Sequence, residues 1–118
     1  MKAENKILAM TFDFALQIII LNKKLVDCKE YVLSRQLLRS GTSIGANVEE
    51  AVAGQSKRDF TAKMALASKE ARETRYWLRL LEKSELAHLD YAPYLTGIEH
   101  IISILTKIVK TSQTSLSQ

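Results

Sequence analysis

The stretch "LRSGTSIGANVEEA", Leu38 to Ala51, resembles a phosphate-binding loop because it contains two glycines and several hydroxyl side chains. Whether it is such a loop decides the fold. A nucleotide-binding P-loop needs two glycines separated by four residues and followed at once by lysine and by serine or threonine, between a strand and a helix. Here three residues separate Gly41 from Gly45, no lysine follows, and no strand pattern precedes them. The stretch therefore predicts a helix with one face of small residues.

The glycines in this stretch need a structural reason. Glycine inside a helix costs about 0.5 to 1 kcal/mol relative to alanine, because its backbone loses more freedom on folding. Close packing has to return that free energy. Since Gly41 lies on the apolar seam of the segment and Gly45 follows one turn later, we expect both to mark close helix packing.

Apolar residues recur at intervals of four and three in four segments, the repeat that keeps one seam facing a partner helix. The spacing predicts helices near 4–25, 28–53, 57–87 and 91–111. Their seams contain Ile7, Thr11, Phe14, Ile18, Leu21 and Leu25; Leu37, Gly41, Ile44, Val48 and Ala51; Phe60, Met64, Ala67, Ala71, Thr74, Leu78 and Leu81; and Tyr94, Ile98, Ile101, Leu105 and Ile108. Because the joints are short, we expect an all-α, antiparallel, up-down-up-down four-helix bundle.

Length and composition limit the organisation of the chain. Its 118 residues suit one domain, which we place at 1–111, followed by a polar, disordered tail at 112–118. The single cysteine, Cys28, excludes an internal disulfide framework and favours a cytoplasmic location. No apolar run approaches the roughly 20 residues of a membrane span. We therefore expect no membrane partner.

Two segments carry a family resemblance. "SIGANVEEA" together with "SKEARETRYWLRLLEKSEL" resembles the bacterial four-helix-bundle proteins named after intervening sequences in 23S ribosomal RNA genes. Their second helix usually carries Ser, Ile or Val, Pro, Ala and Asn, then Glu and Gly. The matching residues here are Ser43, Ile44, Ala46, Asn47 and Glu50. This chain departs from the pattern at Gly45, where the family usually has proline, and at Ala51, where it usually has glycine.

The resemblance implies a homo-oligomer, typically a homopentamer. Some members of the family resemble accessory factors that hold a reverse transcriptase and RNA in diversity-generating retroelements. Others occur only with the ribosomal RNA insertion. The resemblance leaves open which of these two branches includes this chain, so a reverse transcriptase and RNA or DNA both remain candidate partners.

The first segment gives an independent reason to expect self-association. Residues 18–21 read Ile-Ile-Ile-Leu, which is apolar around the whole helix circumference and cannot all face one bundle core. A second buried surface is therefore expected. Leu16 and Ile20, one turn apart and off the main seam, are the candidate oligomer contacts.

Ser43, Asn47 and Glu50 form a candidate polar seam on the second helix. Their spacing of four and three places them along one side of that helix. We expect them to bond across to the third helix, at Ser68, Arg72 or Arg75, and to fix the register of the bundle. The alternative is a role in contacting a ligand.

The third segment is rich in basic residues. It contains five acidic residues and eight basic ones. The basic residues are Lys57, Arg58, Lys63, Lys69, Arg72, Arg75, Arg79 and Lys83. The last four recur at three and four, so they form a stripe that could follow a phosphate backbone. The alternative is a solvated face that Glu73 and Glu82 partly balance. Tyr76 and Trp77 could stack on bases, although a lone tryptophan at helical spacing is more often a core or interface residue.

The chain lacks the residue sets of common active sites. A di-metal bundle takes a Glu from each of two helices and Glu-x-x-His from each of the other two, and only Glu85 with His88 fits that spacing. We therefore expect no metal, no cofactor, no catalytic residues and no enzymatic activity. The predicted function is an oligomeric bundle that binds nucleic acid through the third helix. The alternative is a purely structural or protein-binding oligomer.

Overall fold

The computed structural model describes residues 2–118, with side chains described from residue 4 onward. Four α-helices account for the fold: α1 spans Lys2–Asp27, α2 Leu33–Ala53, α3 Lys57–Ser84 and α4 Ala92–Ser117. No strand occurs in the described range. The body measures 50 × 22 × 21 Å, as expected for helices lying side by side. The all-α four-helix bundle is thus confirmed.

None of the helices described offers a segment long and apolar enough to cross a membrane.

Side-chain contacts show that α3 runs opposite to both α2 and α4. Ser40, in the first half of α2, bonds to Thr74 in the second half of α3. Lys57, at the start of α3, bonds to Ser115 near the end of α4, and Arg75 reaches back to Glu99. The short joints therefore produce the antiparallel neighbours that the sequence predicts.

The core follows the predicted seams. Every predicted seam residue of α1 and α2 is buried, as are those of α3 and α4 apart from Phe60, Tyr94 and Ile108, which are half-buried. Fully buried large side chains come from all four helices: Ile7, Ile18, Leu21, Leu25, Leu37, Ile44, Met64, Leu78, Leu81, Ile98, Ile101 and Leu105. Because burial removes apolar surface from water, this shared core is the main source of stability.

The joint between α1 and α2 differs from the prediction. The sequence predicts the second helix from residue 28, but Lys29 has a left-handed φ of 64° and α2 begins at Leu33. The Glu30 carboxylate accepts hydrogen bonds from the backbone N–H groups of Val32, Leu33 and Ser34, at 3.1, 3.1 and 2.6 Å. These donors have no partner inside the helix, so a buried anion satisfies them and complements the helix dipole.

The ends of α3 also have identifiable causes. Ser56 caps the start, since its hydroxyl accepts a hydrogen bond of 3.0 Å from the Asp59 N–H. The helix ends at Ser84 rather than near 87, because Glu85 adopts a left-handed φ of 57°. Glu85 and His88, expected at the end of a helix, therefore both lie beyond it.

The end of α4 corrects another prediction. Residues 112–118 were expected to be a disordered tail, yet the helix continues through Ser117. Hydroxyl groups hold this extension against α3, where Thr61 contacts Ser112 and Lys57 donates to Ser115 at 3.1 Å. A polar segment without apolar periodicity thus stays helical because a neighbouring helix provides polar partners.

Candidate nucleic-acid interface

The outer side of α3 carries a line of cations around one aromatic ring. We name this set the basic face; it consists of Lys69, Arg72, Tyr76, Arg79 and Lys83, all exposed. Their spacing of three and four keeps them on one side of the helix. At 1.5 Å per residue the face extends over about 21 Å. It contains three of the four predicted nucleic-acid-binding residues, Arg72, Arg79 and Lys83, and Lys69 extends it.

Arg75, the fourth predicted residue, has a different role. Its Nη1 donates to Glu99 Oε1 of α4 at 2.7 Å. The two side chains are 36% and 58% exposed, so the ion pair adds at most about 1 kcal/mol to stability. Its effect on charge is larger, because the carboxylate compensates the guanidinium. Arg75 therefore joins α3 to α4 and adds no unpaired cation to the basic face. Its contact with nucleic acid stays a prediction.

The flank of α3 toward α2 holds two acidic side chains that share one cation. Arg39 of α2 forms ion pairs with Glu73 and, at 3.3 Å, with Glu70. Glu73 is therefore paired with α2 rather than with the basic face, although one guanidinium neutralises only one of the two carboxylates. Across residues 4–118, no ion pair involves any of the four cations of the basic face.

Tyr76 and Trp77 differ in burial. Trp77 is half-buried against the core, and its Nε1–H donates to Glu73 at 2.9 Å. Tyr76 is 54% exposed and meets the Trp77 ring edge-on, with ring centroids 5.3 Å apart. Tryptophan is thus a packing residue, while tyrosine places an aromatic surface in solvent among the cations.

The predicted polar seam on α2 does not cross to α3. Ser43 donates to the Arg39 carbonyl at 2.7 Å, and Asn47 donates to the Ser43 carbonyl at 2.9 Å, both within α2. Glu50 is exposed. These side chains are short enough to bond to the carbonyl one turn back, which satisfies them locally. The expected bonds to Ser68, Arg72 or Arg75 are absent from the described side chains.

A different polar pair joins α2 to α3. The hydroxyls of Thr74 and Ser40 form a hydrogen bond of 2.9 Å, and both residues are fully buried. Thr74 also bonds to the Glu70 carbonyl at 2.8 Å. The hydroxyl of Thr74 at an apolar seam position was the available signal for this contact, since buried polar groups need partners.

Gly41 and Gly45 lie where α2 approaches α1. A Cβ added at Gly41 would stand 2.9 Å from Ile18 Cγ2, and one at Gly45 would stand 3.3 Å from the Thr11 carbonyl oxygen. Both distances are shorter than comfortable van der Waals contact. The small residues thus bring α1 and α2 together.

The outer side of α1 is apolar. We name it the α1 outer face; it consists of Phe12, Leu16, Ile19 and Ile20, which are 64%, 47%, 50% and 56% exposed. Leu16 and Ile20, the predicted oligomer contacts, both lie there. A shallow groove of about 350 Å³ beside them is lined by residues of α1 and α2 and includes Gly45 and Ala46. Contiguous exposed apolar surface of this kind is typical of an interaction site.

Among the described side chains, Tyr91 has a shifted pKa and a structural role. Burial raises the pKa of Tyr91, and the nearby Cys28 and Glu30 raise it further. The neutral hydroxyl donates to the Ala87 carbonyl at 2.9 Å, which closes the α3–α4 loop. Elsewhere among the described side chains, no group of three or more His, Cys, Asp or Glu could hold a metal ion.

Comparison with known proteins identifies the family. The sequence profile described as "23S rRNA-intervening sequence protein" matches residues 3–107, which include parts of all four helices. The chain belongs to this family. The match covers the glycine-containing face of α2 and the basic face of α3.

A solved structure in the same group is similar over nearly its full length. It is a protein of unknown function from the S23 ribosomal protein family of Bacteroides thetaiotaomicron VPI-5482. The two sequences are 43% identical, the TM-score is 0.87, and the similarity covers 92% of this chain and 98% of that chain. Curated protein sequences gave no match.

Proposed function

We propose that this member of the 23S rRNA-intervening sequence protein family is a non-enzymatic, self-associating bundle that binds nucleic acid through its basic face. RNA or DNA is the proposed ligand, in the cytoplasm of a bacterium. The family pattern supports a homopentamer and admits a reverse transcriptase as a protein partner.

One observation carries the proposal. Four cations, Lys69, Arg72, Arg79 and Lys83, lie along about 21 Å of one exposed helix face and have no acidic partner among the described side chains. Like charges that repel each other along a helix are mildly destabilising, so their alignment favours a polyanionic ligand. The chain's net charge of +4 supports the same reading, and five copies carry +20 in total.

Self-association strengthens this interaction. A polyanion that contacts several basic faces at once binds with avidity, because the second contact forms at high effective concentration. The α1 outer face lies on a different helix from the basic face, so assembly through one is compatible with binding through the other.

Salt-dependent binding tests the proposal. Fluorescence anisotropy with a labelled RNA and a labelled DNA duplex at several salt concentrations gives the slope of log affinity against log salt. Each phosphate contact that the protein makes releases counterions from the nucleic acid, so a variant with fewer contacts has a shallower slope. For the variant R72A/R79A/K83A we expect the slope per bound subunit to be shallower by about 2 on a single strand and by about 3 on duplex DNA.

The matched control removes three exposed lysines elsewhere, in the variant K6A/K24A/K110A. Both triple variants lose the same charge. If the control loses as much affinity as the α3 variant, the charge acts without a defined site and the basic face is not the interface. Absence of binding to every polynucleotide at low salt would overturn the proposal.

A second candidate function rests on the α1 outer face. Four exposed apolar residues on one helix favour a protein partner independently of any nucleic acid. In that case the protein is a structural or protein-binding oligomer whose charge serves solubility. Assembly that persists while all nucleic-acid binding is absent would support this second function.

A further inference from the structure

We propose that the basic face binds an unpaired strand, single-stranded RNA or DNA, and that Tyr76 is the stacking platform for one of its bases. This inference rests on the proposed function and specifies its ligand. It begins from the position of Tyr76, which is 54% exposed between Arg72 and Arg79 on the same helix face.

The order of side chains matches the order of groups in a single strand. Arg72 lies one turn before Tyr76, and Arg79 lies one turn after it, so cation, ring and cation alternate along the helix. A single strand presents phosphates with bases between them that are free to turn outward. Positive charge that follows the backbone, combined with an aromatic ring that stacks on a base, is how proteins bind single strands without reading sequence.

A duplex would leave the ring unused. In paired nucleic acid the base faces are covered by their neighbours, and only base edges are exposed in the grooves. Helical RNA also has a major groove too deep and narrow for side chains to read. Tyr76 could contact a duplex only through its edge or hydroxyl, whereas an unpaired base offers its whole π-face.

The neighbouring contacts hold the ring in place. Trp77 meets Tyr76 edge-on at 5.3 Å, and its indole N–H is fixed on Glu73, which pairs with Arg39 of α2. A ring supported in this way loses little conformational freedom when a base stacks on it, which favours binding. The same contacts hold the Glu73 carboxylate on Arg39 and Trp77, which reduces its repulsion of the phosphates.

The test compares three labelled probes of equal length: unstructured oligo-U, oligo-dT and a blunt duplex. For Y76A we expect affinity for both single strands to fall roughly 5- to 150-fold, the range for loss of one stacked base, while duplex affinity stays within about 2-fold. Y76F keeps the ring and is expected to bind like the unchanged protein. Quenching of Trp77 fluorescence by the single strands, lost in Y76A, provides a second readout.

The matched control is Y31A, since Tyr31 is 52% exposed but lies outside the basic face. Sedimentation and thermal melting of Y76A and Y31A check that fold and assembly are retained. Equal single-strand affinity of Y76A and unchanged protein, or a preference for the duplex, would overturn the inference while the proposed function stands. Failure of every probe to bind would overturn both.

Discussion

The outer faces of α1 and α3 form the sharpest contrast in the molecule. Both helices are long, and both bury an inner seam of the same spacing in one core. Outside, α1 exposes Phe12, Leu16, Ile19 and Ile20, whereas the basic face of α3 exposes four cations around one tyrosine. The inner seam alone determines the fold, so the outer faces are free to differ.

The contrast indicates two kinds of partner. An apolar face gains free energy when another apolar surface covers it, at about 25 cal/mol per Å² removed from water. A charged face instead gains by neutralisation and keeps its contacts solvated, so its binding weakens with salt. We therefore propose that α1 mediates self-association and that α3 binds a polyanion.

Breaking the α1 outer face has the largest expected effect. In the variant L16E/I20E, like charges would meet across any subunit contact, so we expect complete loss of assembly to monomers. Sedimentation velocity measures this. The helix itself should remain folded, because both side chains are already about half exposed.

The control for this variant is L86E/L116E, which adds the same charge at exposed leucines that are not on α1. It should retain the assembly of the unchanged protein. If L16E/I20E forms oligomers of normal size, the subunits meet at another surface and the α1 outer face is not the subunit contact.

Disturbing the interior beneath α1 has the next largest effect. In Gly41→Val, the new Cβ would stand 2.9 Å from Ile18 Cγ2, and its branches add further volume. Overpacking of this kind typically costs about 1 to 3 kcal/mol in the free energy of unfolding, which urea denaturation measures.

Ala53→Val is the control for this change, since Ala53 is exposed on the same helix and lies outside the groove beside the α1 outer face. We expect its effect to stay within about 0.5 kcal/mol. A Gly41→Val protein as stable as the unchanged one would mean that α1 can shift away from α2 at no cost.

The smallest expected effect comes from breaking the ion pair between Arg75 of α3 and Glu99 of α4. Glu99→Gln removes the partner of Arg75 and should release a fifth cation beside the basic face. Stability should fall by at most about 1 kcal/mol, as for other exposed ion pairs. The salt slope for single strands should become steeper by about 0.7, the contribution of one added phosphate contact.

Glu49→Gln is the matched control, because it changes the net charge equally at an exposed position on α2. If both variants raise affinity to the same extent, Arg75 does not reach the ligand. The measurement is the same anisotropy titration against salt.

Periodicity predicted the fold because burial of a helix seam depends on local spacing alone. Ile18, Leu78 and Ile101 lie on predicted seams and are buried. Helix ends were less accessible to such reasoning. Glu30 satisfies three N–H groups of α2 from outside the helix, which a residue pattern cannot distinguish from a position inside it.

Parts of the candidate site could not be predicted because spacing along one helix does not show which partner a polar side chain takes. Arg75 fits the spacing of a free cation, and only the position of α4 shows that Glu99 compensates it. Ser43 and Asn47 fit a cross-helix seam, but each finds a nearer carbonyl in its own helix. The exposure of Tyr76 likewise depends on how α3 is rotated against its neighbours.

The two glycines of α2 should show different patterns of substitution among related proteins. An added Cβ at Gly41 meets the side chain of Ile18, so a larger residue at 41 can be accommodated by a smaller one at 18. We expect these two positions to co-vary. An added Cβ at Gly45 meets the backbone of Thr11 instead, which no substitution at 11 removes. Relatives with proline at that position need a different spacing or angle between the two helices. We therefore expect no single other position to co-vary with position 45.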